Sequence, residues 1–202
     1  MYHKLNNAGR ADYISQNAQI CDAIYTIREH IGDKGIWLFD RGHDRSVLFK
    51  KVFLVCPEMR WIVRAAEDRN IIPENETLYT KGNRYYHGLL DLSKQISLNE
   101  SPLRLTFPKV TAPIWVGWER VLLLVDNHDL FATVVVAHDR RNKEPVVLIT
   151  SLPVNNPTDA IMVFGYYLER WGKEEGYRFT KSFLNSENIR VFLGYPFLQE
   201  CS

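Results

Sequence analysis

Tyr167, Arg170, Glu174 and Lys181 follow one another at offsets of 3, 4 and 7. On an α-helix, at about 100° per residue, they fall within roughly one sixth of the surface and along about 21 Å of its length. An arginine can grip two oxygens of an oxyanion, and a lysine acts on one as a point charge. A carboxylate set between them adds a group that can bind cations or move protons. The plainer reading of the same spacing is a solvated face whose pairs contribute a few tenths of a kcal/mol each. The other side of this helix carries Gly165, Gly172 and Gly176, flanked by Leu168, Phe179 and Phe183. Glycine in a helix costs about 1 kcal/mol relative to alanine, which close approach to another backbone would offset. The spacing predicts a helix with a charged, aromatic front and a packed back.

A second candidate is Asp40. It closes the run IWLFD (36–40), whose four apolar residues after a glycine read as a central strand of an α/β sheet. In open α/β sheets ligands bind beyond the carboxyl ends of strands, which makes Asp40 a site candidate. The alternative is that it merely begins the turn before Gly42. Asp44 reads as the N-cap of a helix through Val47, Leu48 and Phe53. RWIVRAA (60–66) reads as the next strand, with Arg60 and Arg64 on one face.

Tyr, two residues, Arg, three residues, Glu, six residues, Lys, with Trp171 after the arginine, resembles the signature of a large group of bacterial insertion-sequence transposases. Phe-Asp-Arg-Gly at 39–42 is similar to the second-aspartate motif of the same group, and Asp40 and Glu174 lie 134 positions apart (174 − 40). Family members with a β-rich insertion have a separation of that order. The resemblance implies an RNase H-like fold with an Asp-Asp-Glu triad, in which Asp40 and Glu174 are catalytic and ligate Mg²⁺. It implies that Tyr167, Arg170 and Lys181 hold phosphates at a transposon end, and that Arg64 faces nucleic acid. The family's first aspartate bridges two Mg²⁺ ions. Before Asp40 there are only Asp12, Asp22 and Asp33, none of which ends an apolar strand. The expectation is therefore an α/β protein with an incomplete RNase H-like core, interrupted by a β-rich insertion, and an incomplete two-metal site.

The elements that must position these residues divide into three stretches. Residues 1–70 are expected to form the first part of the core, without its opening strands. A helix there starts at Ser15, carries Ile20, Ala23, Ile24, Ile27 and Ile31, and ends at Gly32 and Gly35. Residues 71–153 read as the insertion, with strand-like runs at 103–107, 112–125, 130–138 and 145–150 separated by Asn, Asp, Gly and Pro turns. Trp115 and Trp118 within it read as core packing rather than stacking platforms for a base. Residues 154–202 carry the signature helix, with Thr158 or Asp159 near its N-cap.

Composition bounds the rest. The chain has 202 residues, 46% hydrophobic and 24% charged, an ordinary globular balance. It has no apolar run near membrane-spanning length and no secretory pattern, so a soluble, non-secreted protein is expected, and the resemblance implies the bacterial cytoplasm, associated with the nucleoid. Three cysteines without metal-ligand spacing fit a reducing compartment. The net charge of +1 lacks the basic excess of a free-standing nucleic-acid binder, so DNA contact must rest on local patches. The expected function is Mg²⁺-dependent phosphoryl transfer at transposon ends by a transposase fragment. The alternative is a catalytically dead remnant that binds DNA or a full-length transposase.

Overall fold

The computed structural model describes residues 15–66, 68–74, 87–105, 113–125, 128–139 and 144–183, with the side chains of 16, 87 and 171–183 excepted. Asp12 and Cys201 lie outside these residues. Helix α1 spans Gln16–Ile31, capped by Ser15, whose hydroxyl accepts from Ala18 N at 3.2 Å. It stops at Gly32, which takes φ 64°, a conformation that glycine adopts without a Cβ penalty. Strand β1 (Trp37–Phe39) follows, then a 3-10 turn at Arg41–His43. A short α2 (Ser46–Leu48) widens into a π-helical turn over Phe49–Phe53. Next come β2 (Trp61–Arg64), β3 (Asn70–Pro73), the two-residue β4 (His87–Gly88) and α3 (Leu89–Gln95). Three strands, β5 (Trp115–Val125), β6 (His128–His138) and β7 (Val146–Thr150), lead to the long α4 (Pro157–Phe183).

The strands form one mixed sheet in the order β1-β2-β7-β6-β5-β3-β4. Its one parallel pair is β1 with β2, in the register Trp37↔Trp61 to Phe39↔Val63. β2 then pairs antiparallel with β7, which ties the strands of 71–153 directly onto the strand next to Asp40. At that junction Thr150 Oγ1 donates to Trp61 O at 2.7 Å, and Ser151 Oγ accepts from Trp61 N at 3.0 Å. Contrary to the expectation of a central strand, β1 lies at the sheet edge among the described residues, and Trp37 and Leu38 are only half-buried.

Both faces of the sheet are covered. On one face Val63, Ile149, Val134, Val136, Val121 and Leu123 pack beneath α1, the π-helical turn and α3. Phe53 stacks on Trp61 at 4.4 Å, and Phe49 and Phe39 meet this pair edge-on. On the other face Ile62, Leu148, Val135, Ala137 and Val116 pack against α4. Double-sided burial explains why these strands read as continuous apolar runs rather than as alternation.

Several local expectations are refined or corrected. Of the run 103–107, residues 106 and 107 lie outside the described residues, and within 103–105 only an isolated bridge forms, Leu103 to Ile114. Pro102 lacks a donor for a ladder, and Asn99 already occupies the neighbouring edge of β5, accepting from Val116 N through its side chain (2.7 Å). The N-cap of α4 is Asn156, one residue before Pro157, with Thr158 and Asp159 close behind it in the first turn as expected. Asn156 Oδ1 accepts from Asp159 N at 3.0 Å, while the Asp159 carboxylate reaches back to Asn155 N at 2.9 Å, a reciprocal box. Asp44 does not cap α2, which Arg45 precedes without a side-chain cap.

Candidate functional site

The parallel register sets the site. Phe39 faces Val63, so the next residues, Asp40 and Arg64, leave β1 and β2 side by side at their carboxyl ends. Asp40 has extended backbone (φ −80°, ψ 176°) and opens the turn that carries Arg41, Gly42 and His43. The turn folds His43 back so that its Nδ1 donates to Asp40 Oδ1 at 2.5 Å. The His43 ring also lies 5.8 Å from that of Phe39, which fixes it over the end of the strand. Gly42 leaves the carboxylate room, since a Cβ there would stand 3.2 Å from Asp40 Oδ1.

The third contributor is α4. Ala160, Val163, Phe164 and Tyr167, at offsets of 3, 1 and 3, form its buried stripe. Tyr167 is 1% exposed and belongs to the core beside Ile62 and Leu148. The face expected to be a charged, aromatic front is thus the packed face over this part of the helix. Tyr167 instead supports Arg170: the guanidinium lies 5.4 Å from the ring centroid, and Nη2 donates to the Tyr167 hydroxyl at 3.5 Å. A cation over an aromatic face is attracted by the ring quadrupole, which holds Arg170 in place one turn further along.

These groups meet electrostatically. Burial pushes the Asp40 carboxyl up, but the hydrogen bond and attraction of His43, then the charge of Arg170, then the Gly42 amide, outweigh it. The net pKa lies below the ordinary aspartate value. Asp40 and Arg170 are 130 positions apart (170 − 40). The fold brings them close enough for the arginine's charge to act on the carboxylate.

Asp40, Arg64 and Arg170 are therefore gathered at one end of the sheet, with Tyr167 beneath Arg170. The backbone of α4 carries Glu174 one turn beyond Arg170 and Lys181 two turns beyond that, while their side chains lie outside the described residues. Two groups escaped the sequence reading. His43 is one; its signal was the Asp-Arg-Gly-His turn, with the imidazole three positions after the carboxylate. The other is the pair of Asp44 and Arg69, which is buried and ion-paired, with Asp44 also accepting from Ala66 N at 2.6 Å. Nothing local in the sequence signals that pair.

An ionised carboxylate at a strand end suits a hard cation such as Mg²⁺, which takes oxygen ligands. The described residues alone do not complete such a site: among them no three His, Cys, Asp or Glu side chains are grouped to hold a metal. Asp40 carries an imidazole on Oδ1.

The fold and site define a mixed α/β sheet protein with an acidic and a basic group gathered at the carboxyl ends of its parallel strands. No protein-family model matches the chain, and no curated protein matches it significantly. Among the described residues no helix is long and apolar enough to cross a membrane.

Proposed function

We propose that the chain is part of the catalytic domain of a DDE transposase, with an RNase H-like core extended by the strands of 71–153. It would act on transposon-end DNA in the bacterial cytoplasm. One observation carries the reading: Arg170 of the Tyr-Arg-Glu-Lys motif acts electrostatically on Asp40 of the Phe-Asp-Arg-Gly motif. Two motifs far apart in sequence thus come within electrostatic reach of one another, which supports the reading. Asp40 and Glu174 are the carboxylates assigned to Mg²⁺. Arg170, Lys181 and Arg64 are assigned to DNA phosphates, with Tyr167 holding Arg170 from below rather than reaching the strand itself.

The tie between Asp40 and His43 favours a second reading, a remnant that binds DNA or a full-length transposase without cutting. In it the imidazole stands where cation chemistry would need an open carboxylate oxygen.

Incubation with a transposon-end duplex in Mg²⁺ or Mn²⁺ separates the two, run with and without an added segment bearing a strand that ends in aspartate. Cleavage only on complementation, lost in Asp40→Ala, supports the transposase reading. Binding that weakens steeply with salt, without cleavage in either case, supports the remnant. The absence of both binding and cleavage, with or without the added segment, refutes the transposase reading and leaves a remnant that does not act on DNA. Within the binding assay, Arg170→Ala should weaken the complex about tenfold, the loss of one charge-assisted phosphate contact, and Glu169→Ala should not.

A further inference from the structure

A cavity of about 410 Å³ opens beside the carboxyl ends of β1 and β2, walled by Arg41, Arg64, Lys94, Glu144, Leu90 and Val147. We propose that it binds a small phosphate-bearing ligand of nucleotide size, with the phosphate on the cationic rim and the attached ring against the apolar wall. The proposal uses neither Asp40 nor Glu174 and does not depend on the transposase reading, although it shares Arg64 with the phosphate contacts assigned there.

Three elements deliver the cations: the turn after β1 (Arg41), the last residue of β2 (Arg64) and the last turn of α3 (Lys94). Three positive side chains face one carboxylate, Glu144, so the cavity favours an anion. Lys94 is paired with Asp91 at 3.6 Å, but both side chains are largely exposed, and such a pair yields readily to a better anion. Phosphate is the anion that suits the set, since arginine forks match its oxygens and lysine adds a mobile point charge.

Size and lining decide the rest of the ligand. Small-molecule sites span roughly 300–1,000 Å³, and this cavity falls within that range and far above the needs of inorganic phosphate. Leu90 is 38% exposed, a large apolar side chain at a cavity wall with no polar function of its own. With Val147 and Ala65 it offers a surface for a flat ring. The same chemistry belongs to a free nucleotide and to the terminal nucleotide of a DNA strand.

Isothermal titration of the full chain with adenosine monophosphate tests this, with adenosine and inorganic phosphate as separate probes. The expected result is one adenosine monophosphate per chain, with each half of the molecule at least about tenfold weaker. Lys94→Ala should weaken it about tenfold, with recovery in Lys94→Arg, and Leu90→Glu should weaken it comparably. Competition by a 5′-phosphorylated trinucleotide at equal affinity would assign the site to a strand terminus. Failure to compete would assign it to a free nucleotide. The proposal is overturned by the absence of saturable binding, or by unchanged affinity in both Lys94→Ala and Leu90→Glu when their circular dichroism matches the parent.

Discussion

Asp40 and Asp44 stand four residues apart on one turn and serve opposite ends. The Asp40 side chain is 46% exposed and answers to His43 and Arg170, two groups that can be moved or outcompeted. The Asp44 side chain is fully buried, ion-paired to an Arg69 that is 10% exposed, and bonded to the Ala66 amide. Arg69 in turn lies over the Phe49 ring at 4.4 Å, at the heart of the aromatic cluster. The Asp44 corner thus clamps the turn after β1 to the segment leaving β2. Solvent access, not residue type, separates the accessible carboxylate from the structural one. The clamp also bears on the site, because it holds together the two strand ends that present Asp40 and Arg64.

The largest effect that would test this contrast is on stability. Asp44→Ala strands a buried guanidinium and should cost about 3–5 kcal/mol in urea denaturation. Asp40→Ala should cost no more than about 1 kcal/mol, as for a half-exposed pair. Equal losses would erase the distinction.

A smaller effect appears in acid. The folded pKa of Asp40 lies below its unfolded value, so its contribution is complete above the ordinary aspartate range and is lost as pH falls through the folded value. The stability difference between the parent and Asp40→Asn should therefore hold steady from neutral pH down to the ordinary aspartate range, then shrink below it. Urea midpoints collected across that range report it, and a gap that widens in acid would show that the carboxylate is not the favoured form.

Why one aspartate was legible in the sequence and the other was not follows from range. Asp40 ends an apolar strand, a local pattern, and its place at the carboxyl end of β1 was readable from five residues. The apolar runs of β5, β6 and β7 were readable for the same reason, since burial on both faces writes itself into consecutive positions. Asp44 looked like a helix cap because its partners lie 22 and 25 positions onward, in a segment whose approach depends on the β1–β2 register. Tyr167 shows a related failure. Its spacing with Arg170 marked a helix face correctly, but which face meets the sheet is decided by Ala160, Val163 and Phe164 one and two turns earlier. The packed side of a helix is a property of the whole stripe, and four polar or aromatic residues do not outvote it.

The smallest expected effect tests the link on which the transposase reading rests. If α4 delivers its charge to the end of β1, Arg170→Ala should raise the Asp40 pKa, followed by the pH dependence of its carboxyl resonance. His43→Ala should raise it further, because His43 contributes both a hydrogen bond and a closer attraction, each ranking above the arginine. Glu169→Ala is the control: residue 169 stands about 100° around the helix from residue 170 and takes no part in the Asp40 interaction. A rise with His43→Ala and none with Arg170→Ala would leave Asp40 and its imidazole as a purely local turn. The two motifs would then share a sheet end without sharing a site. A rise in both, in that order, would tie the helix to the strand across the 130 positions between them (170 − 40).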